Sequence, residues 1–267
     1  MFRSFDVAVS GLRSHQNYLD VTSNNVANVN SDGFKGSKAL FEDTLTALAR
    51  GVNMQPRPQP NGALNAAMVG LGVRTFGVEG DFTQGAFKIT NIATDMGISG
   101  DGYFVLQGET GPVYTRNGNF TFDANSTLRA GDGKPVLGEN NQAITAPANG
   151  GQASRLSINQ RGEVLALNPA GAPTVLGTIK MARFANNAGL ERVGDSEFRQ
   201  TIASGAPVEG ISGQNGLGWL VSGVTEASNV DMGAELTNLI MAQRGYSANA
   251  KVMTTTDELV DRINQMR

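Results

Sequence analysis

The stretch SNNVANVNSDGFK occupies residues 23–35 and closes a long run of helical periodicity. It contains Asn24, Asn25, Asn28 and Asn30, although asparagine is a poor helix former because its amide competes for backbone hydrogen bonds. Asn24 and Asn28 are four residues apart and share one helix face. A buried asparagine needs a matching amide or carbonyl, so the cluster predicts a helix packed among unique neighbours, such as copies of itself. The alternative, a frayed helix end, explains Asn30 but explains Asn24 poorly.

A heptad seam runs from Phe5 into this stretch, with members alternately three and four positions apart. Gly33 follows as a helix stop. We predict a helix over about residues 4–30, which would be ~40 Å long. The members of the seam are Phe5, Ala8, Leu12, His15, Leu19, Thr22, Val26 and Val29.

The C-terminal end repeats this pattern. Ser228 is the predicted N-cap, with Asp231 three residues later as a weak capping box. A phase shift at residues 254–256 is typical of a short insertion in a coiled coil. The seam contains Leu236, Leu239, Gln243, Tyr246, Ala250 and Met253, and resumes with Leu259, Ile263 and Met266.

The middle of the chain has the pattern of β structure. VYTRNGNFTF (113–122) predicts a hairpin with a type I′ turn at Asn117-Gly118. RLSINQRGEVLAL (155–167) predicts a second hairpin. Further strands are predicted in TVLGTIKMARF (174–184) and GWLVSGVTEA (218–227), the latter leading into the final helix.

Residues 34–72 differ from both regions. A short amphipathic helix is predicted around Phe41, Leu45 and Leu48. NMQPRPQPNGALN (53–65) contains three prolines and predicts extended or irregular chain.

Isolated amphipathic helices are marginal in water, so the two ends need partners. The sequence therefore predicts a mixed α and β fold, with the terminal helices (1–33 and 228–267) paired as a coiled-coil domain. A mainly antiparallel β domain (73–227) is inserted between them, and residues 34–72 form a linker.

The composition of the chain limits the classes of function that it can have. The chain has 267 residues, a net charge of −3 and no cysteine. A basic surface for nucleic acid is not expected, and no apolar run is long enough to insert in a membrane. We expect no cleavable signal peptide, because Asp6, Arg13 and His15 interrupt the N-terminal apolar run.

No set of residues in the sequence indicates a catalytic, cofactor-binding or metal-binding site. His15 lies within the helical seam, and no nucleophile, base and acid can be assembled around it, so we interpret it as a seam residue rather than a general base or pH switch. Glycine-rich segments at 70–77 and 97–108 lack phosphate-loop spacing. DANST (123–127) lacks the glycine and glutamate of a calcium loop. We predict no catalytic, cofactor or metal site.

Three blocks together resemble the bacterial flagellar rod and hook family of axial proteins. They are SGLRSHQNYLDVTSNNVANVNSDGFK (10–35), ISGDGYFVL (98–106) with YTRNGNF (114–120), and SNVDMGAELTNLIMAQRGYSANAKVMTTTDELVDRI (228–263). They lie in the family's order at both ends and the middle of the chain. One departure is Ser126, where the family's turn D-x-x-G-x-L usually has glycine.

The resemblance implies a homopolymer whose terminal helices form the inner tube around an export channel, with no enzymatic activity. It implies neighbouring axial proteins (rod, hook cap and hook–filament junction) as partners, and passage through the flagellar export apparatus. SGLRSHQ and the C-terminal block look more like a hook subunit than a distal rod subunit, so an extracellular, bendable hook is expected, with the rod as the alternative. A secreted β-rich adhesin or glycan-binding module is a further alternative.

The residues expected to pack between subunits come from the two seams and the asparagine cluster. They are Phe5, Ala8, Leu12, Leu19, Asn24, Asn25, Val26, Asn28, Val29, Leu236, Leu239, Gln243, Tyr246, Ala250, Met253, Leu259 and Ile263.

Overall fold

The computed structural model describes residues 2–44, 46–50, 67–109, 111–146, 156–167 and 173–266. These residues form two compact units, which we call the helical unit and the β unit. The helical unit comprises the described parts of Met1–Val26, Ser37–Glu79 and Met232–Arg267, and the β unit those of Ala27–Gly36 and Gly80–Asp231. The predicted domain boundaries and the linker role of residues 34–72 stay predictions.

The helical unit contains the two predicted terminal helices, α1 (Phe2–Ala27) and α2 (Met232–Gln265). Helix α1 begins and ends slightly earlier than predicted, and α2 begins later than predicted. Asn28 and Val29 lie in a turn after α1, and Gly33 adopts a φ of +70°, which glycine tolerates without strain.

The predicted N-cap at Ser228 is wrong, because α2 begins at Met232. The Ser228 hydroxyl instead accepts a hydrogen bond from the Val230 amide at 3.3 Å. The neighbouring Asn229 side chain donates to the Asp81 carbonyl at 2.8 Å and accepts from the Gly36 amide at 2.8 Å. These long-range bonds hold residues 228–231 in the β unit and outside the helix.

The rest of the helical unit is a β ribbon, not the short helix predicted around Phe41 and Leu48; Leu45 and residues 53–65 lie outside the described residues. The strand β1 pairs with β4, and β2 pairs antiparallel with β3. Strands β1 and β4 are roughly 36 residues apart in sequence and β2 and β3 roughly 20, and local periodicity carries no signal of such partners. The ribbon strands are β1 (Ser37–Asp43), β2 (Thr46–Arg50), β3 (Ala67–Gly70) and β4 (Val73–Gly80).

The β unit contains small antiparallel sheets and one six-stranded sheet, ordered β15-β16-β8-β7-β14-β17. The remaining sheets pair β9 with β10, β11 with β12 and β13, β6 with β18, and β5 with β19. The mainly antiparallel character was predicted and is confirmed. The strands are β5 (Phe87–Ile89), β6 (Met96–Ser99), β7 (Tyr103–Gly108), β8 (Gly111–Thr115), β9 (Phe120–Phe122), β10 (Leu128–Ala130), β11 (Leu156–Ile158), β12 (Glu163–Leu167), β13 (Pro173–Thr178), β14 (Met181–Arg183), β15 (Glu191–Gly194), β16 (Glu197–Arg199), β17 (Val208–Gly210), β18 (Trp219–Ser222) and β19 (Val224–Glu226).

Strand β7 lies at the centre of the β unit and is buried on both faces. Phe104 and Leu106 point into one apolar cluster, and Tyr103 and Val105 point into another, as the alternation of side chains along a strand requires. Phe104 packs edge-to-face on Phe120, with ring centroids 5.0 Å apart. This double burial explains the nearly continuous apolar run in residues 103–106.

The two predicted hairpins have different outcomes. Strands β11 and β12 form the second one, with Ile158 opposite Val164, and Gly162 adopts a φ of +82° in its turn. The first is wrong, because β8 pairs with β7 and β16 while β9 pairs with β10. Gly118 is required for another reason: a side chain there would clash with the Met96 carbonyl, against which its backbone packs.

Candidate assembly surface on the terminal helices

Helices α1 and α2 contact each other in antiparallel register. The Asn25 amide donates to the Glu235 carboxylate at 3.1 Å, His15 lies against Gly245, and Gly11 lies against Asn249. The step of ten residues from Asn25 back to His15 on α1 thus matches the step of ten residues from Glu235 forward to Gly245 on α2.

The face that joins the helices consists of small and polar side chains. A Cβ on Gly11 would lie 2.7 Å from the Asn249 side-chain oxygen, and a Cβ on Gly245 would meet the His15 ring. Ala8 and Ala242 are also buried, at 1% and 0% exposure. Small residues allow close approach, and the large apolar side chains that α2 exposes lie outside this contact. Pairing as a coiled coil stays a prediction.

Asn25 accounts for part of the asparagine cluster. It is buried at 2% exposure. Its side chain donates to the Ser37 carbonyl at 2.7 Å and accepts from the Ser37 amide at 2.9 Å, in addition to its bond with Glu235. One amide therefore fixes α1, the start of β1 and α2 to each other, as a register-fixing asparagine should. Asn24 is exposed and Asn28 is half-buried in the turn.

The β ribbon is fixed to α1 through polar side chains on one helix face. The Ser10 hydroxyl accepts from the Val73 amide at 3.3 Å, the Ser14 hydroxyl donates to the Val73 carbonyl at 3.4 Å, and the Asn17 side chain donates to Thr75 at 3.2 Å. Residues alternate along a strand, so Phe76 and Val78 are left 69% and 56% exposed.

The predicted packing residues of α1 are mostly covered to an intermediate degree. Ala8 is buried, whereas Phe5, Leu12, Leu19 and Val26 are half-buried, as is Val29 in the following turn. These side chains lie on a flank beside the face that meets α2. Their predicted role in contacts with other subunits stays a prediction.

Most predicted packing residues of α2 lie on its exposed surface. Leu236, Gln243, Tyr246, Leu259 and Ile263 are exposed, and Leu239, Ala250 and Met253 are half-buried. Several further large apolar side chains of α2 are exposed, and the predicted seam did not include most of them. The large apolar side chains exposed on α2 are Met232, Leu236, Ile240, Met241, Tyr246, Val252, Leu259, Val260, Ile263 and Met266. We call this set the α2 apolar surface.

His15 lies within the contact between the helices. Its ring faces Phe41 at a centroid distance of 6.0 Å, and its Nδ1 is buried with no hydrogen-bond partner among the described residues. It therefore packs between α1, α2 and β1 of one chain.

A buried ionic cluster joins the two segments of the β unit that adjoin the helices in sequence. Glu226 bridges Lys35, at 2.5 Å, and Arg116, at 3.2 Å, and the Gly33 amide donates to the Glu226 carbonyl at 2.7 Å. Lys35 and Glu226 are 1% and 0% exposed. Burial lowers the pKa of Lys35, although the hydrogen bond and charge of Glu226 oppose that shift. Sequence analysis missed this cluster, because its members are far apart in the chain.

Within the described ranges, no group of three or more candidate ligands could hold a metal ion. In DANST, the Asp123 carboxylate forms an ion pair with Arg129 at 2.5 Å. Neither described helix is long and apolar enough to cross a membrane.

The described residues thus form a pair of antiparallel helices with exposed apolar side chains, joined in sequence to an antiparallel β unit. Three flagellar families match the chain. Residues 5–35 match "Flagella basal body rod protein", residues 97–166 match "Flagellar hook protein FlgE/F/G D1 domain", and residues 221–266 match "Flagellar basal body rod FlgEFG protein C-terminal".

Full-length relatives agree with these matches. The flagellar basal-body rod protein FlgG of Bacillus subtilis is 36% identical over 268 residues, covering 100% of both chains. That of Caulobacter vibrioides is 37% identical over 264 residues, covering 97% of each. The chain therefore belongs to the family of flagellar rod and hook proteins, and is a structural subunit of the flagellar axis.

The expectation of a hook subunit rather than a rod subunit is not supported. The flagellar hook protein FlgE of Borreliella burgdorferi is only 24% identical, over an alignment of 444 residues. That alignment is far longer than the 267 residues of this chain, so the hook relative carries segments that this chain lacks.

Proposed function

We propose that this chain is the distal rod subunit of the flagellar basal body and polymerises into a tube with a central export channel. The observation that carries this proposal is its likeness to basal-body rod proteins along its whole length, at 36% and 37% identity. It functions without catalysis. Its neighbours are other axial proteins, and it reaches its place through the flagellar export apparatus.

The α2 apolar surface provides the driving force for assembly. Each large apolar side chain that moves from water into a contact contributes about 1.5–3 kcal/mol. Because the two helices of one chain meet mainly through small and polar residues, the α2 apolar surface is left for contacts with other copies. Phe5, Leu12, Leu19 and Val26 contribute the corresponding flank of α1.

The test compares substitutions at exposed apolar positions of α2 with a substitution at an exposed polar position beside them. Leu236 and Ile240 are 45% and 50% exposed, so L236D/I240D should leave the monomer folded. Thr237 lies on a line of polar residues seven apart, with Arg244, Lys251 and Glu258, and T237D is the matched control. At high concentration, negative-stain electron microscopy should show tubes for wild type and T237D and none for L236D/I240D. Tubes formed by L236D/I240D at wild-type concentration would refute the proposed driving force, and a wild-type chain that never polymerises would refute the proposed function.

A further inference from the structure

Three segments of the β unit lie next to places where the chain passes into the helical unit. The chain passes between the two units at residues 26–27, 36–37, 79–80 and 231–232. The segments of the β unit that adjoin the last three of these passages are residues 33–36, 80–86 and 226–231, and we call them together the junction. Gly36 and Asn229 are 193 residues apart in the chain, so the junction forms only through tertiary contacts.

The side chain of Asn229 bonds to both other segments of the junction. Its oxygen accepts from the Gly36 amide at 2.8 Å, and its nitrogen donates to the Asp81 carbonyl at 2.8 Å and to the Thr83 hydroxyl at 3.0 Å. A primary amide offers both an acceptor and donors, and here both kinds of group are engaged with distant partners. One side chain therefore ties together all three segments.

Backbone hydrogen bonds also join each pair of junction segments. They run from the amides of Asp81, Gly33 and Ala227 to the carbonyls of Gly36, Glu226 and Ala86, at 2.8, 2.7 and 2.8 Å respectively. The three segments thus form a closed set in which each one is bonded to both others. Movement of one segment strains its bonds to the other two.

The bonds of Asn229 act against the local sequence. The pattern from Ser228 to Asp231 is that of a helix start, yet residues 228–231 are not helical. Asn229 is uncharged and only half-buried, so its removal leaves no buried charge unpaired, in contrast to the removal of Glu226. We expect its bonds to determine the position of segment 226–231 more than the stability of the β unit.

We propose that Asn229 is a positioning residue that makes the three segments of the junction move as one. A load on the helices reaches the β unit along these segments, and segments that are bonded to each other share it. The part of the inference that concerns load rests on the proposed function, because it requires a subunit of an axial tube. The coupling of the three segments is a property of the single chain and can be tested without a polymer.

Amide hydrogen exchange of the full chain at low concentration, followed by NMR, tests the coupling. In N229A the Gly36 amide loses its acceptor. The Asp81 amide donates to the Gly36 carbonyl and not to Asn229, yet coupling requires that it also exchange about tenfold faster or more. S228A is the matched control and should change neither rate, because the Ser228 hydroxyl bonds to the nearby Val230 amide.

Two results of this experiment would overturn the inference. Faster exchange at Gly36 with an unchanged rate at Asp81 would show a local bond without coupling. Loss of protection in the central strand β7 as well would show that Asn229 serves the stability of the whole β unit. Unchanged amides in β7 are expected, and they also verify that N229A is folded.

Assembled tubes test the sharing of load. N229A keeps the α2 apolar surface, so it should polymerise at the wild-type concentration, but electron microscopy should show tubes with a shorter persistence length than those of wild type and S228A. N229A tubes as stiff as wild type would refute the sharing of load. Failure of the wild-type chain to polymerise would refute the proposed function, whereas the exchange rates would still decide the coupling.

Discussion

At the scale of single residues, one turn of the β unit holds a serine in a backbone conformation that favours glycine. Ser126 adopts a left-handed φ of 60°. Its amide donates to the Asp123 carbonyl at 2.9 Å, and the Asp123 carboxylate accepts from the Asn125 and Thr127 amides, each at 2.8 Å. These bonds hold Ser126 where residues with a Cβ are strained by about 1–2 kcal/mol.

Replacing Ser126 with glycine should therefore stabilise the chain. The relief of strain exceeds the extra unfolded-state entropy of glycine, so S126G should raise the free energy of unfolding by up to about 1 kcal/mol. Denaturant melts of the β unit in the intact chain would measure it. S157G, at an exposed position of strand β11, is the matched control and should destabilise; equal losses for both variants would contradict the argument.

The ionic cluster should be costly to break at one member. E226Q leaves Lys35 and Arg116 buried without their carboxylate, so a loss of about 3–5 kcal/mol is expected. The double variant K35M/E226Q removes one of the unpaired charges and should recover part of this loss. Equilibrium unfolding of both variants would test the argument, and a double variant less stable than E226Q would count against it.

The cluster also predicts how stability depends on pH. Burial lowers the pKa of Lys35 from its ordinary 10.5, so between the lowered and the ordinary values the unfolded chain binds more protons than the folded one. In that alkaline window, the contribution of Lys35 to the free energy of unfolding rises with pH. K35M should lose this pH-dependent contribution. Between neutral pH and 10.5, the stability of wild type relative to K35M should therefore increase. A difference in stability between wild type and K35M that stays constant over this pH range would refute the prediction.

At the scale of secondary-structure elements, the position of Gly245 predicts a coupling between the two helices. Alanine normally stabilises a helix by about 1 kcal/mol relative to glycine, but a Cβ at residue 245 would meet the His15 ring. G245A should therefore destabilise the chain, and H15A/G245A should regain the lost stability. Thermal unfolding of the double-mutant cycle measures this coupling; additive effects would show that His15 and Gly245 do not pack on each other.

How far these elements follow from the sequence depends on the range of the interactions that form them. The helices were predicted because their periodicity is local. The face by which the two helices meet was not predicted, because Gly11 and Gly245 have no side chain that a hydrophobic pattern could include. Asn117-Gly118 has the local pattern of a hairpin, but contact with the Met96 carbonyl decides the role of Gly118. The Lys35–Glu226 pair is separated by 191 residues, and only the folded chain brings it together.

At the scale of the whole molecule, the helices differ in length in a way that bears on assembly. Gly11 faces Asn249, so nine residues back along α1 and nine forward along α2 place Phe2 opposite Glu258. The last turns of α2, residues 259–265, therefore extend past the start of α1. They carry Leu259, Val260 and Ile263, which are 53%, 38% and 47% exposed.

Removing residues 259–267 should therefore separate folding from assembly. The free energy of unfolding of the monomer should change by no more than about 0.5 kcal/mol, as for other surface changes. The concentration required for polymerisation should rise, because apolar surface available to other copies is lost. L259Q/I263Q keeps the helix length and should reproduce the assembly defect, which distinguishes apolar contact from length. Denaturant melts and sedimentation of assembled material would measure both effects; a destabilised monomer with normal assembly would show that these turns serve the fold of one chain instead of the polymer.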